Sequence, residues 1–262
     1  MTGRRLAWVR ERVPPPVKER LRPWLNRSPS WLQDGLRRLS GSDAAPRRAR
    51  WGNLRRAAPF DRDWGFSRGT PVDRVYIERF LTAHAGDVRG ECLEVLNDAY
   101  TRRFGGDRVT RRDVLDLTAR NLSATVIADL GEPDSLPPSR YDCVVFTQTL
   151  HLIPDMAIAL ANIWRAVRPG GALLVTVPCI GRHETRWDNE HDRWRLTPSG
   201  LGWLTRQLPG AEVEVTAYGN VVSAIAALHG IAAEEVAPAE LERVDRDYPV
   251  IVAARIVKYG GS

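Results

Sequence analysis

Gly90–Asp113, GECLEVLNDAYTRRFGGDRVTRRD, decides how this 262-residue chain is read. A short apolar strand, Cys92-Leu93-Glu94-Val95, runs into a polar turn, and a second strand over 109–112 ends on an acid, Asp113. In open α/β sheets ligands sit outside the carboxyl ends of the strands, and an acid there can bind the hydroxyl pair of a ribose. The outline is that of a β-turn-α-β unit for an adenosine cofactor. The glycines that usually make its turn are missing.

Outward from this stretch, strand-like and helix-like runs alternate. The pattern predicts a helix over 72–85, then strands over 92–95, 109–112, 124–128, 141–146 and 172–177. A helix over 154–167 carries Met156, Leu160, Ile163, Trp164 and Val167 at helical spacing, and Pro169-Gly170-Gly171 should stop it. Strand, helix, stop, strand is a right-handed crossover, so the sheet should be mainly parallel and covered on both faces. The tail departs from a plain doubly wound fold. Residues 211–218 alternate like a strand, 221–236 read as helix, and 248–257 are β-branched, which suggests a terminal antiparallel pair.

These signals resemble a class I S-adenosylmethionine-dependent methyltransferase, most closely the small-molecule type 11 group, over residues 86–258. The pieces that carry the likeness are Cys92-Leu93-Glu94-Val95, Val109-Thr110-Arg111-Arg112-Asp113, Ile127-Ala128-Asp129-Leu130 with Leu136-Pro137, Tyr141-Asp142-Cys143-Val144-Val145, and Leu160 to Val177 with Arg168-Pro169-Gly170-Gly171. The implied fold is α/β: a Rossmann-like seven-stranded sheet, mainly parallel with a terminal antiparallel pair, helices on both faces. The resemblance implies S-adenosylmethionine as cofactor, with Glu94 closing the first strand, Asp113 on the ribose, and Asp129 with Leu130 beside the adenine. Each also has a plain structural reading: a solvated acid, a turn residue, a strand end.

The departure from the family lies in the first turn, where Leu96, Asp98 and Tyr100 stand in place of glycine. Glycine is favoured there because it permits positive φ and close backbone approach. Asn97 and Asp98 tolerate the left-handed region better than most residues, so they are expected to make the turn and meet the cofactor. The chain is similar to a divergent, glycine-poor branch that shares this variant and the upstream run Trp64-Gly65-Phe66-x-Arg68-Gly69-Thr70-Pro71-x-Asp73-Arg74. That run could cover the cofactor and hold its carboxylate through Arg68 or Arg74, guanidinium being suited to bidentate contact.

Methyl transfer needs in-line positioning and, for an oxygen acceptor, a base. Gln148 and His151, in the loop after the fourth strand, are placed to meet cofactor and acceptor respectively, with His151 the first choice for base. The loop over 181–195 adds His183, Asp188, His191, Asp192 and Arg195, with Trp187 or Trp194 to stack on a ring. His191 is the second catalytic candidate. Such a loop suits a hydroxyl-rich small molecule, a sugar or a glycosylated compound, giving O-methylation in small-molecule biosynthesis. The alternative is a non-catalytic subunit of the same fold that binds or scaffolds. No Gly-x-Gly-x-x-Gly, nucleophile elbow or phosphate loop is present, and His183 and His191 lie eight apart, a spacing of no common metal site.

Charge divides the chain. Residues 1–60 carry 15 Lys+Arg against 4 Asp+Glu, a net +11, and the remainder carries 23 against 28, a net −5. The expected organisation is a basic extension and linker over 1–60, a lead-in over 61–85 that covers the cofactor, and a methyltransferase-like domain over 86–262. Helical pieces are expected over 17–25 and 29–39. Trp8, Trp24 and Trp31 among the arginines suit a peripheral membrane or protein contact, and nucleic acid is disfavoured. Cys92, Cys143 and Cys179 sit in apolar runs without ligand spacing and read as buried thiols. With no run of about 18 apolar residues and no secretory leader, a cytoplasmic location is expected.

Overall fold

A computed structural model describes residues 52–185 and 191–260. The helical pieces and tryptophans expected before residue 52 lie outside them, as do Trp187 and Asp188. Arg56–Ser262 forms one compact unit, built on seven strands: β1 Gly90–Val95, β2 Val109–Asp116, β3 Val126–Ile127, β4 Tyr141–Thr147, β5 Val167–Pro178, β6 Ala211–Tyr218 and β7 Ile251–Lys258. They order as β3-β2-β1-β4-β5-β7-β6. The first five run parallel, and β7 is antiparallel to both β5 and β6. The expected sheet and its antiparallel end are both present. The order reverses between β1 and β4, which makes their carboxyl ends the switch point where ligands bind such sheets.

Side-chain alternation sends neighbouring strand residues to opposite faces. Leu93, Val144 and Leu173 face a core closed by α2 (Met156–Ala166) and α3 (Pro198–Thr205), where Leu160, Ile163, Trp164 and Leu201 are buried. Cys92, Cys143 and Leu174 face a second core closed by α1 (Val72–Ala83) and α4 (Val221–His229), with Tyr76, Ile77, Phe80 and Ala226. A short α5 (Pro238–Glu242) follows α4 in the chain.

Boundaries differ from the sequence reading for local reasons. α2 begins after Asp155, whose Oδ1 accepts from the N–H groups of Ala157 and Ile158, a standard N-cap. Pro169-Gly170-Gly171 does not follow the helix as a stop. It lies inside β5, where the register against β4 shifts and Gly170 takes φ 79°. α4 ends at Gly230, in the left-handed region at φ 64°, so the run to residue 236 breaks into a helix and a 3-10 turn, Ala233–Glu235. Between β1 and β2 the chain makes only a π turn, Thr101–Gly105, and a 3-10 turn, Gly106–Arg108.

The lead-in is strapped to the far side of the site. Phe60 N–H donates to His229 O at 2.7 Å, Pro71 bridges Ala232, and Thr70 N–H reaches Glu234 at 2.9 Å. Among the described residues no helix is long and apolar enough to cross a membrane.

Candidate active site

At the switch point a cavity of about 690 Å³ opens, within the ~300–1,000 Å³ usual for small-molecule sites. One end is built by the loops after β1, β2 and β3. Glu94, buried at the end of β1, accepts from Tyr100 N–H (3.1 Å), Thr101 N–H (2.7 Å) and Thr101 Oγ1 (2.6 Å). Burial pushes its carboxyl up, against those three donors. The carboxylate therefore ties down the turn that lacks glycine.

Leu96 shows how that turn is made. It takes φ 69°, the conformation glycine would have supplied, while its N–H donates to Leu115 O at 3.0 Å and its carbonyl accepts from Asn121 Nδ2 at 2.7 Å. Of the five non-glycine residues with positive φ among the described residues, Trp64, Leu96 and Gln148 line the cavity. Such outliers gather at functional sites because surrounding contacts must hold them. Asn97 also lines it, with Oδ1 accepting from Ala99 N–H at 2.9 Å.

Two of the expected cofactor contacts at this end fall elsewhere. Asp113 is mid-strand, because β2 continues through buried Val114 and Leu115 to Asp116. Its carboxylate is 4% exposed and surrounded by Arg111 Nε (3.1 Å), Thr125 Oγ1 (3.2 Å) and Tyr141 OH (3.3 Å). Burial and this carboxylate push the Tyr141 hydroxyl up to about 12. Asp116 is the strand-end acid, and it lines the cavity. The Thr118 N–H at 3.0 Å and the Asn121 amide at 2.9 Å hold its carboxyl below the usual range. The signal that would have found it is the apolar pair Val114-Leu115 directly before a second acid. Asp98 pairs with Arg102 at 2.6 Å and does not line the cavity. Asp129 and Leu130 do line it, Asp129 accepting from Gly131 N–H at 2.8 Å.

Arg68 and Arg74, read together from the sequence, are separated by the fold. Arg68 is committed to a bidentate pair with Glu235, at 2.8 and 2.5 Å, outside the cavity. Arg74 lines it, donating Nη1 to Tyr100 OH at 3.2 Å. The neighbouring Asp73 also lines the wall, and burial pushes its carboxyl up.

The other end is built by the loops after β4 and β5. Gln148 donates its N–H to Thr176 O at 2.8 Å and its amide to Thr176 Oγ1 at 3.2 Å. His151 is buried, and desolvation lowers it to about 4, with Asp192 opposing and Arg195 reinforcing the shift. His191, Glu184, Asp192, Arg193 and Arg195 share this wall. Burial alone would raise Asp192, but Arg195 and the Glu184 N–H hold it at about 2. Arg182, paired with Glu184, lies 4.0 Å over the Trp64 ring and donates to Arg62 O, so the lead-in closes onto this loop. His183 and Trp194 do not line the cavity. Among the described residues no group of three or more His, Cys, Asp or Glu could hold a metal.

The donor set fits S-adenosylmethionine. Asp116 offers a carboxylate for a ribose, Leu117, Ala128 and Leu130 offer apolar surface with Asp129 for a purine, and Arg74 offers a guanidinium for a carboxylate. A parallel sheet of this order with an antiparallel β5-β7-β6 end is a Rossmann-like methyltransferase fold. The chain belongs to the methyltransferase-domain family, which it matches over residues 37–207. No curated protein sequence matches it. Among solved structures it is similar to an S-adenosylmethionine-dependent methyltransferase from Mesorhizobium loti (16% identity, 71% of this chain and 97% of that one, TM-score 0.48). It is also similar to the N-methyltransferase NodS of Bradyrhizobium japonicum in complex with S-adenosyl-L-homocysteine (15%, 75% and 92%, 0.47). A third is the methyltransferase in complex with the Trm112 activator of Haloferax volcanii (15%, 71% and 93%, 0.46).

Proposed function

We propose that the chain is an S-adenosylmethionine-dependent O-methyltransferase acting on a hydroxyl of a sugar or glycosylated small molecule. The observation that carries this reading is a buried, neutral imidazole, His151, on the wall of the same cavity whose other end holds Asp116, Asp129 and the Glu94-tethered loop. The cofactor supplies an electrophilic methyl group. Asp116 takes its ribose, Asp129 and Leu130 its adenine, and Arg74 its carboxylate, while Asn97 and Gln148 border it. His151 lies in the base form at neutral pH and accepts the hydroxyl proton. His191, Arg193 and Arg195 line the wall beside it, where the acceptor would lie.

The test is incubation of the full chain with methyl-labelled S-adenosylmethionine and a panel of glycosides, read by mass spectrometry. Label on a sugar oxygen is expected. Label on nitrogen, carbon or protein side chains would overturn the acceptor class, and binding of S-adenosylhomocysteine without any transfer would favour a non-catalytic subunit.

A further inference from the structure

The loop after β5 brings one charge to the cavity that the fold leaves uncompensated. In its described stretches, 181–185 and 191–197, the Asp, Glu and Arg residues are Arg182, Glu184, Asp192, Arg193 and Arg195, and all five line the cavity. Four of them are joined in two ion pairs, Arg182 with Glu184 and Arg195 with Asp192. Among the described residues Arg193 alone of the five makes no side-chain hydrogen bond or ion pair, and it is exposed. Its backbone is nonetheless held. The N–H groups of Arg193 and Trp194 both donate to His151 O, at 3.3 and 3.2 Å, and Trp194 Nε1 donates to Ile153 O at 3.2 Å. On the other side Asp192 is fixed by Arg195, at 2.5 and 2.7 Å, and by the Glu184 N–H at 2.8 Å. Arg193 therefore stands between two anchored neighbours, beside the loop after β4.

We infer that Arg193 selects an acceptor that bears an anionic group, a carboxylate or a phosphate, on the sugar or on what the sugar is attached to. This rests on the methyl-transfer reading and narrows its acceptor. An arginine keeps its charge throughout the physiological range and offers five donors in a planar fork that matches carboxylate and phosphate oxygens. The other two guanidiniums of this loop are already met by Glu184 and Asp192, and His151 is neutral at pH 7. A neutral glycoside leaves the Arg193 fork to water. An anion completes it while the rest of the acceptor lies in the cavity.

Arg74 does not compete for this anion, because it sits against the loop after β1 with its Nη1 on Tyr100 OH at 3.2 Å. Arg193 acts on a part of the acceptor that makes and breaks no bond, so its effect falls on acceptor binding and not on the transfer step. Because the side chain is exposed, added salt screens the contact.

The experiment compares acids with their neutral counterparts. The full chain, with and without S-adenosylhomocysteine, is titrated by calorimetry with methyl glucuronide, methyl galacturonide and glucose 1-phosphate, and with methyl glucoside and methyl galactoside. At least one acid is expected to bind about tenfold more tightly than the neutral glycoside of its sugar. That preference should vanish in Arg193→Gln, survive in large part in Arg193→Lys, and shrink as sodium chloride is added to the wild type. Tighter binding of the uronides names a carboxylate, and tighter binding of the sugar phosphate names a phosphate. Equal affinity for acids and neutral glycosides, binding of neither, or a preference that Arg193→Gln retains overturns the inference. So does a fall in S-adenosylhomocysteine affinity in Arg193→Gln as large as the fall for the acid, which would assign the arginine to the cofactor. Acid-selective binding that depends on Arg193, without any methyl transfer from labelled S-adenosylmethionine, would keep the anion site and remove the methyl-transfer reading. Transfer to neutral glycosides with the same KM in wild type and Arg193→Gln would do the reverse.

Discussion

After β1 the chain turns within residues 96–100, and its backbone donors are met by one buried carboxylate, Glu94. After β5, among the described residues 179–185 and 191–197, charges are met by each other: Arg182 with Glu184, Arg195 with Asp192. The first loop has one Asx turn, one left-handed leucine and no glycine before Gly105. The second keeps its charges at the cavity wall, with Asp192 and Glu184 buried in those pairs and Arg182 and Arg195 about a quarter exposed. A loop that only has to hold a shape can be satisfied by one carboxylate inside the fold, whereas this loop brings a set of charges to the cavity wall by pairing them with one another.

The sharpest way to break this contrast is Glu94→Ala. Three donors would lose a charged acceptor in a buried place, and hydrogen bonds to charged groups contribute about 1.5–3 kcal/mol each without adding fully. A loss of about 3–5 kcal/mol in urea unfolding is expected, together with loss of the calorimetric heat of S-adenosylhomocysteine binding. Glu94→Gln, which keeps an acceptor oxygen, should lose less than half as much. A Glu94→Ala protein within about 1 kcal/mol of wild type would show that the turn holds itself.

The loop after β5 should show itself in acid. His151 titrates at about 4 in the fold against an ordinary 6.5, so its neutral form contributes stability that is fully present above pH 6.5 and lost as pH falls through 4. The shift corresponds to about 3 kcal/mol. Asp192, at about 2 against 3.8, adds a further loss only between those two values. Urea midpoints measured from pH 7 to pH 4 should therefore fall, and His151→Gln should flatten that fall. An equally steep fall in His151→Gln would assign it to other groups.

The next effect distinguishes two acids that look alike in sequence. Asp116→Ala should weaken S-adenosylhomocysteine binding about 10- to 100-fold, the value of a charge-assisted contact of about 1.5–3 kcal/mol. Asp113→Ala should leave affinity within about threefold but destabilise the fold, because it strips Tyr141 OH and Thr125 Oγ1 of a buried acceptor. Isothermal calorimetry on both variants decides the matter, and the reverse ranking would return the ribose to Asp113.

What the sequence made legible follows from which forces are local. The strand and helix runs, their order and the antiparallel end were readable because each buried face leaves a period-2 or period-3.6 trace, as in Cys92 and Leu93 or in Leu160, Ile163 and Trp164. Asp113 reads from the sequence as a strand-end acid, because an acid inside a strand looks like one at its end until Tyr141 and Thr125, 28 and 12 residues away, are seen to satisfy it. Arg68 and Arg74 share a segment and a chemistry, and only Glu235, 167 residues from Arg68, shows which is occupied. The 3.8 Å approach of His151 and Asp192 leaves no trace in sequence spacing either.

The smallest effect tests the strain at the heart of the first loop. Leu96 is 58% exposed, so its side chain has little burial to lose, yet it holds a left-handed backbone that costs an L-residue about 1–2 kcal/mol. Glycine removes that cost but adds freedom to the unfolded chain, an opposing term of about 0.5–1 kcal/mol. Leu96→Gly should thus gain a few tenths to about 1 kcal/mol in urea unfolding. Leu96→Val, β-branched and less tolerant of positive φ, should lose more than that. S-adenosylhomocysteine affinity separates the two meanings of the missing glycine. If Leu96→Gly binds more tightly as well, the leucine Cβ had been keeping the backbone from the ligand. If only stability moves, the turn already presents its backbone as a glycine-rich one would, and the substitution concerns the conformation of the loop alone.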